Sequence, residues 1–144
     1  MDEKVAERVE KRIKDGWIKS TMMIEVLAVT EKAARESLKK HVEKMEKEDK
    51  VMIYRKDFKK VDKVEEPLPN IPEAYSTVVE LELLTQNYDK LVYMIMSYAP
   101  SSVEILEPKN IKLDMGEAQG ILNSIAELIH KFAAAGIGGV IIGT

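Results

Sequence analysis

The sequence has no cysteine, which excludes disulfides, a thiol nucleophile and thiolate metal sites. It has only two histidines, His41 and His130, each in a segment of helical periodicity and without the paired spacing of a zinc-binding helix. No apolar run reaches the ~20 residues needed to span a bilayer. The most lipid-like stretch, Phe132 to Ile142, is shorter and follows Glu127, His130 and Lys131. The charged start Met1-Asp2-Glu3-Lys4 lacks the apolar segment and small-residue cleavage site of a secretory signal. Positive charge is not in excess either: the formal net charge is -3, which weighs against a general attraction to nucleic-acid phosphates. Glutamine is limited to Gln86 and Gln119 in a chain rich in Lys and Glu, a composition expected of a thermophilic, cytoplasmic protein.

Apolar material is plentiful. Hydrophobic residues make up 45% of the 144, enough for one sizeable core and too few for two, so a single domain over 1–144 is expected. Val5, Val9 and Ile13 recur at helical steps and predict a leading helix stopped at Gly16. Ser20 to Val29 carries a single charge, Glu25, and reads as a central strand covered on both faces. Thr30 can cap a helix whose buried stripe is Ala34, Leu38, Val42 and Met45, ending near Asp49. Val51 to Val61 alternates as a peripheral strand, with Met52, Tyr54 and Phe58 on one face and Val51, Ile53, Arg55 and Asp57 on the other.

Pro67, Pro69 and Pro72 interrupt Lys63 to Ala74, which is expected to be a long ordered loop or β-arm without a regular element. Tyr75 to Leu84 alternates clearly, with Tyr75, Thr77, Val79, Leu81 and Leu83 on one face and Glu80 and Glu82 on the other. Asn87 can cap a short apolar helix ended by Pro100, and Ser102 to Glu107 supplies a further strand. Asp114-Met115-Gly116-Glu117 has capping-box spacing ahead of the broad apolar stripe Ile121, Leu122, Ile125, Leu128, Ile129 and Phe132.

The order after the leading helix is βαββαβ, the split βαβ pattern of a ferredoxin-like core. The expected fold is therefore α+β, with a leading helix over 1–16, a ferredoxin-like core over 20–108, and a long C-terminal helix with an apolar tail over 114–144. Two helices cover one face of such a sheet. The first or last helix, or a second subunit, is expected to cover the other.

Few constellations carry chemistry. Glu25, Glu80, Glu82 and Glu104 fall on one sheet face under this strand order, and clustered carboxylates suit a hard cation such as magnesium or calcium; the bland alternative is a solvated face paired with Lys56. Ser76, Ser97, Ser101 and Ser102 lack a nucleophile-elbow pattern. The glycines of Gly136 to Thr144 follow a helix rather than precede one, so no helix N-terminus receives a phosphate there. As an apolar tail, that segment suits pairing with a sheet edge or a groove on a neighbouring subunit. Tyr54, Arg55, Lys56 and Phe58 interleave aromatic and basic residues in the manner of single-stranded nucleic-acid platforms, beside an acidic third strand.

The run Ser76 to Leu84, the helix Asp89 to Tyr98 and Ser102-Val103-Glu104-Ile105-Leu106-Glu107-Pro108 resemble the second half of ACT-like and other ferredoxin-like regulatory domains. The Val-Glu-Ile-Leu-Glu-Pro segment followed by a long helix is also similar to the end of WYL-type ligand-sensing domains, without their Trp-Tyr-Leu signature. Where ACT domains carry a glycine-bearing ligand loop this chain has Val29-Thr30-Glu31-Lys32, so no family binding residue is carried over. The resemblance implies a small-ligand-sensing regulatory role.

The expectation is a homo-oligomeric, non-enzymatic protein that senses a small ligand or acts as an interaction module, assembled through its C-terminal helix and tail. A metal-dependent enzyme or metal-binding protein using the acidic face, and an RNA-binding protein using strand two, are the alternatives. No cofactor, catalytic residue or ligand-binding residue is identified.

Overall fold

A computed structural model describes residues 1–136 of the chain. Two compact units divide at Lys109. The first holds α1 (Glu3–Lys14), β1 (Ile18–Ala28), α2 (Glu31–Glu46), β2 (Val51–Phe58), β3 (Asp62–Leu68), β4 (Ile71–Thr85), α3 (Tyr88–Tyr98) and β5 (Ser102–Glu107). The second holds α4 (Met115–Ala134). The strands form one antiparallel sheet in the order β2-β4-β1-β5, with β3 also beside β4. With the β3 arm set aside, this is the ferredoxin-like order expected from the sequence.

The helices begin where their caps dictate. Asp2, Thr30, Asn87 and Asp114 each accept a hydrogen bond from a first-turn amide, satisfying a donor that has no partner within its helix. Gly16 follows α1 with φ +95, a conformation that costs glycine little. α3 ends at Ala99 in the left-handed region, directly before Pro100. Replacing Asn87 with Ala removes the 2.8 Å bond to the Lys90 amide and is expected to cost about 1 kcal/mol. Urea denaturation measures this, and an unchanged midpoint would show that the cap contributes nothing.

Alternation sets the two faces of the sheet. Ile18, Met22 and Ile24 of β1 stand opposite Thr85, Leu81 and Val79 of β4, and all are buried on the side where α2 packs through Ala34, Leu38, Val42 and Met45. α3 adds Leu91 and Met94 to this core. The other face of β1, with Lys19, Thr21 and Met23, is only half-buried, so the strand is central but not equally covered on both sides. α1 shields one end of that second face: Val9 is buried, and Ala6, Val9 and Ile13 share a cavity wall with Lys19 and Glu107. Of the three covers considered for that face, the first helix is in place.

Two expectations need correction. The register of β2 shifts between Ile53 and Arg55, a β-bulge at Tyr54. Beyond it the alternation inverts, so Lys56 and Phe58 stand opposite Leu81 and Val79 on the α2 side. Phe58 therefore shares a face with Val51 and Ile53 rather than with Met52. The proline-rich segment is also regular: β3 and the start of β4 form a hairpin around Pro69-Asn70. Pro67 is tolerated because the β3 register breaks between Glu65 and Leu68, where Glu66 takes φ +45. Pro72 is tolerated because β1 begins to pair with β4 only at Tyr75, so β4 is an edge at that point. The β-arm alternative is what forms.

Among the described residues no helix is long and apolar enough to cross a membrane. The tail is placed only at Gly136, and residues 137–144 lie outside the described residues.

Candidate functional site

The register places all four carboxylates singled out above on the face opposite α2. Glu82 and Glu104 flank Thr21, Glu80 stands opposite Met23, and Glu25 stands opposite Val78. Sharing a face does not bring them into one coordination sphere. Among the described residues no three His, Asp or Glu side chains are grouped closely enough to hold an ion. Arg55, opposite Glu82, donates to its Oε1 at 3.4 Å. Lys56, expected to neutralise this face, instead binds Glu46 of α2 on the other side at 3.1 and 3.2 Å. Tyr54 lies by Glu82 with its hydroxyl buried and without a hydrogen-bond partner among the described residues; burial, then the nearby carboxylate, raises its pKa well above the usual phenol value. Beyond the bulge Arg55 stands opposite Glu82 and Phe58 opposite Val79, so the aromatic and basic residues of this strand do not all share one face.

A polar cluster ties the end of α2 to α3. Glu48 accepts hydrogen bonds from the Tyr98 hydroxyl, from Lys90 Nζ at 3.0 Å and from the Tyr93 hydroxyl at 3.3 Å. The Tyr98 bond, then the Lys90 bond, hold the Glu48 carboxyl below its usual pKa against the opposing effect of burial. Burial and then Glu48 push Tyr98 up to about 12. Burial opposes the charge on Lys90, but bonds to Glu48 and Asp49 outweigh it. His41 Nε2 lies 2.9 Å from the Tyr98 carbonyl oxygen, which can only accept, so that nitrogen carries the proton. His41 is a clamp between helices, and His130 is exposed on α4. These side chains satisfy one another, as expected of a structural latch.

The bulge has a second effect. By turning Lys56 and Phe58 toward α2, it builds a groove of about 350 Å³ between α2 and the β2 edge. Its floor is Leu38, Val42 and Thr77, all buried, and its wall is Phe58, which is 47% exposed. Arg35, Lys39, Lys56 and Lys59 supply four cations to its lining, against two carboxylates, Glu43 and Glu46. Arg35 pairs with Glu31, Lys56 with Glu46 and Lys59 with Asp57. Lys39 has no ion-pair partner among the described residues. Sequence reading missed the groove because its walls come from distant segments and its geometry depends on an irregularity in strand pairing.

The second unit presents a different kind of surface. Met115, Ala118, Leu122, Ile125, Ile129 and Phe132 recur on α4 at steps of three, four, three, four and three residues, the spacing of a coiled-coil seam. Met115, Leu122, Ile125, Ile129 and Phe132 are exposed, while Ile121, on an adjacent stripe, is buried. The residues flanking the seam are uncharged: Gln119, Ala126 and Ala133 on one side, Ile121, Leu128 and Ala135 on the other. Glu117, Glu127, His130 and Lys131 all fall on the remaining face.

An antiparallel ferredoxin-like sheet with an appended amphipathic helix defines the class as an α+β protein. The model of the MJ0538 family matches residues 19–141, and the chain belongs to that family. No curated protein and no solved structure matches the chain.

Proposed function

We propose that this protein is a homo-oligomeric, non-enzymatic module in which α4 of one copy packs on α4 of another, and that the assembled core serves small-ligand sensing or protein interaction. The observation that carries this reading is the exposed seam of α4. A helix with Gly116 and Gly120 in its first turns has weak intrinsic helicity and depends on packing for stability. An apolar stripe of coiled-coil period, without charge on its flanks, fits an identical stripe and presents no repulsion between like copies. The ligand-sensing component draws on the resemblance of the segments Ser76 to Leu84, Asp89 to Tyr98 and Ser102 to Pro108 to ACT-like regulatory domains.

Native mass spectrometry of the full chain at micromolar concentration tests the assembly. A multiple of the chain mass is expected, and a monomer would contradict the proposal.

A further inference from the structure

We infer that the groove between α2 and β2 is a binding site for a small carboxylate with an alkyl or aryl body. The inference goes beyond the assembly reading and does not depend on it, because the groove is built wholly from residues 35–77 of the first unit.

Three features converge. The floor, Leu38 and Val42, is aliphatic and buried, and Phe58 stands beside it as an exposed aromatic wall. Such a surface takes an apolar body by excluding water. The rim holds Lys39, which has no ion-pair partner among the described residues, with Arg35 and Lys59, whose partners Glu31 and Asp57 lie outside the lining. Even with Glu43 and Glu46 present the lining has more cations than carboxylates, so a ligand that is anionic at one end and apolar at the other is complementary to it. The volume, about 350 Å³, lies at the small end of the roughly 300–1,000 Å³ range of small-molecule sites. That size admits a single short chain or ring. The groove also arises from the bulge at Tyr54, and such irregularities commonly re-aim side chains beside binding sites. Without the bulge, Lys56 and Phe58 would point to the opposite face.

The test is a titration of the full-length ¹⁵N-labelled protein with octanoate, phenylacetate, the neutral octanamide and acetate, followed by amide chemical shifts. Saturable shifts confined to the surroundings of Leu38, Val42, Phe58 and Thr77 are expected with octanoate or phenylacetate. Which of the two binds more tightly separates an alkyl from an aryl ligand. Octanamide should bind about threefold to fivefold more weakly than octanoate, the size of one part-exposed charge interaction. Lys39→Glu, at an exposed position, should weaken octanoate binding by a similar factor. Phe58→Ala should weaken octanoate and phenylacetate by roughly tenfold. Absence of saturable shifts, shifts centred elsewhere, equal binding of octanamide, or binding unchanged in Lys39→Glu would each overturn the inference.

Discussion

A chain carrying both Leu122→Glu and Ile129→Glu is expected to run as a monomer at concentrations where the wild type is assembled. The two side chains are 62% and 55% exposed, so neither substitution opens a cavity within a subunit. In a paired seam, however, each glutamate places a carboxylate where a partner helix supplies only aliphatic groups. Desolvating such a charge costs several kcal/mol unless the interface opens. A loss of about 2 kcal/mol per site, the scale of an interface hot spot, raises the dissociation constant roughly 30-fold for each substitution. Light scattering coupled to size exclusion reads the outcome. Glu127→Lys, on the face away from the seam, should leave the mass unchanged, and a double variant that kept the wild-type mass would remove α4 from the interface.

The largest expected effect on folding is at Glu48. Glu48→Ala deletes an acceptor shared by Tyr98, Lys90 and Tyr93 and leaves the Lys90 ammonium, whose side chain is 12% exposed, with the more exposed Asp49 as its one carboxylate partner among the described residues. A cost of about 2–3 kcal/mol is expected, between that of a hydrogen bond to a charged group and that of breaking a fully buried pair. Its pH dependence has a definite sign. The Glu48 carboxyl lies below its usual 4.5 when folded, so its contribution is complete above pH 4.5 and is lost as the pH falls through the folded value. Wild type and Glu48→Ala should therefore differ in urea midpoint at pH 7 and converge in acid. Tyr98 behaves oppositely: it is raised from 10 to about 12, so its contribution is complete below pH 10 and is lost as the pH rises toward 12. A constant difference between wild type and Glu48→Ala from pH 7 down to pH 2 would show that the latch does not act through its charge.

Much of this fold was legible because its signals are local. Thr30, Asn87 and Asp114 announced three helix starts, and the alternation from Tyr75 to Leu83 announced the buried strand. The acidic face was legible for the same reason, since period two fixes which residues share a side. Its convergence was not, because neighbours on one face of a sheet still stand several ångströms apart and lean toward whichever counter-charge is nearest; Arg55 takes Glu82. The bulge at Tyr54 has no residue signature, as no Gly or Pro marks it, and everything downstream of it was assigned to the wrong side. The Glu48 latch and the groove were illegible because they join residues 42 to 50 positions apart or depend on that bulge. In α4 the apolar stripe was evident, but which part of it stays exposed is a property of the folded chain.

The absence of cysteine makes the central claim directly testable by site-specific cross-linking, since any disulfide must arise from an introduced residue. Single substitutions Ile125→Cys and Ile129→Cys on the seam, and Glu127→Cys outside it, would be oxidised gently in the native protein at micromolar concentration. Helices packed about 8–10 Å apart bring facing seam positions close to the geometry a disulfide requires, and positions on the outer face do not meet it. The account predicts covalent dimers for Ile125→Cys or Ile129→Cys and none for Glu127→Cys. No cross-link on the seam, or cross-linking at all three positions alike, would contradict it.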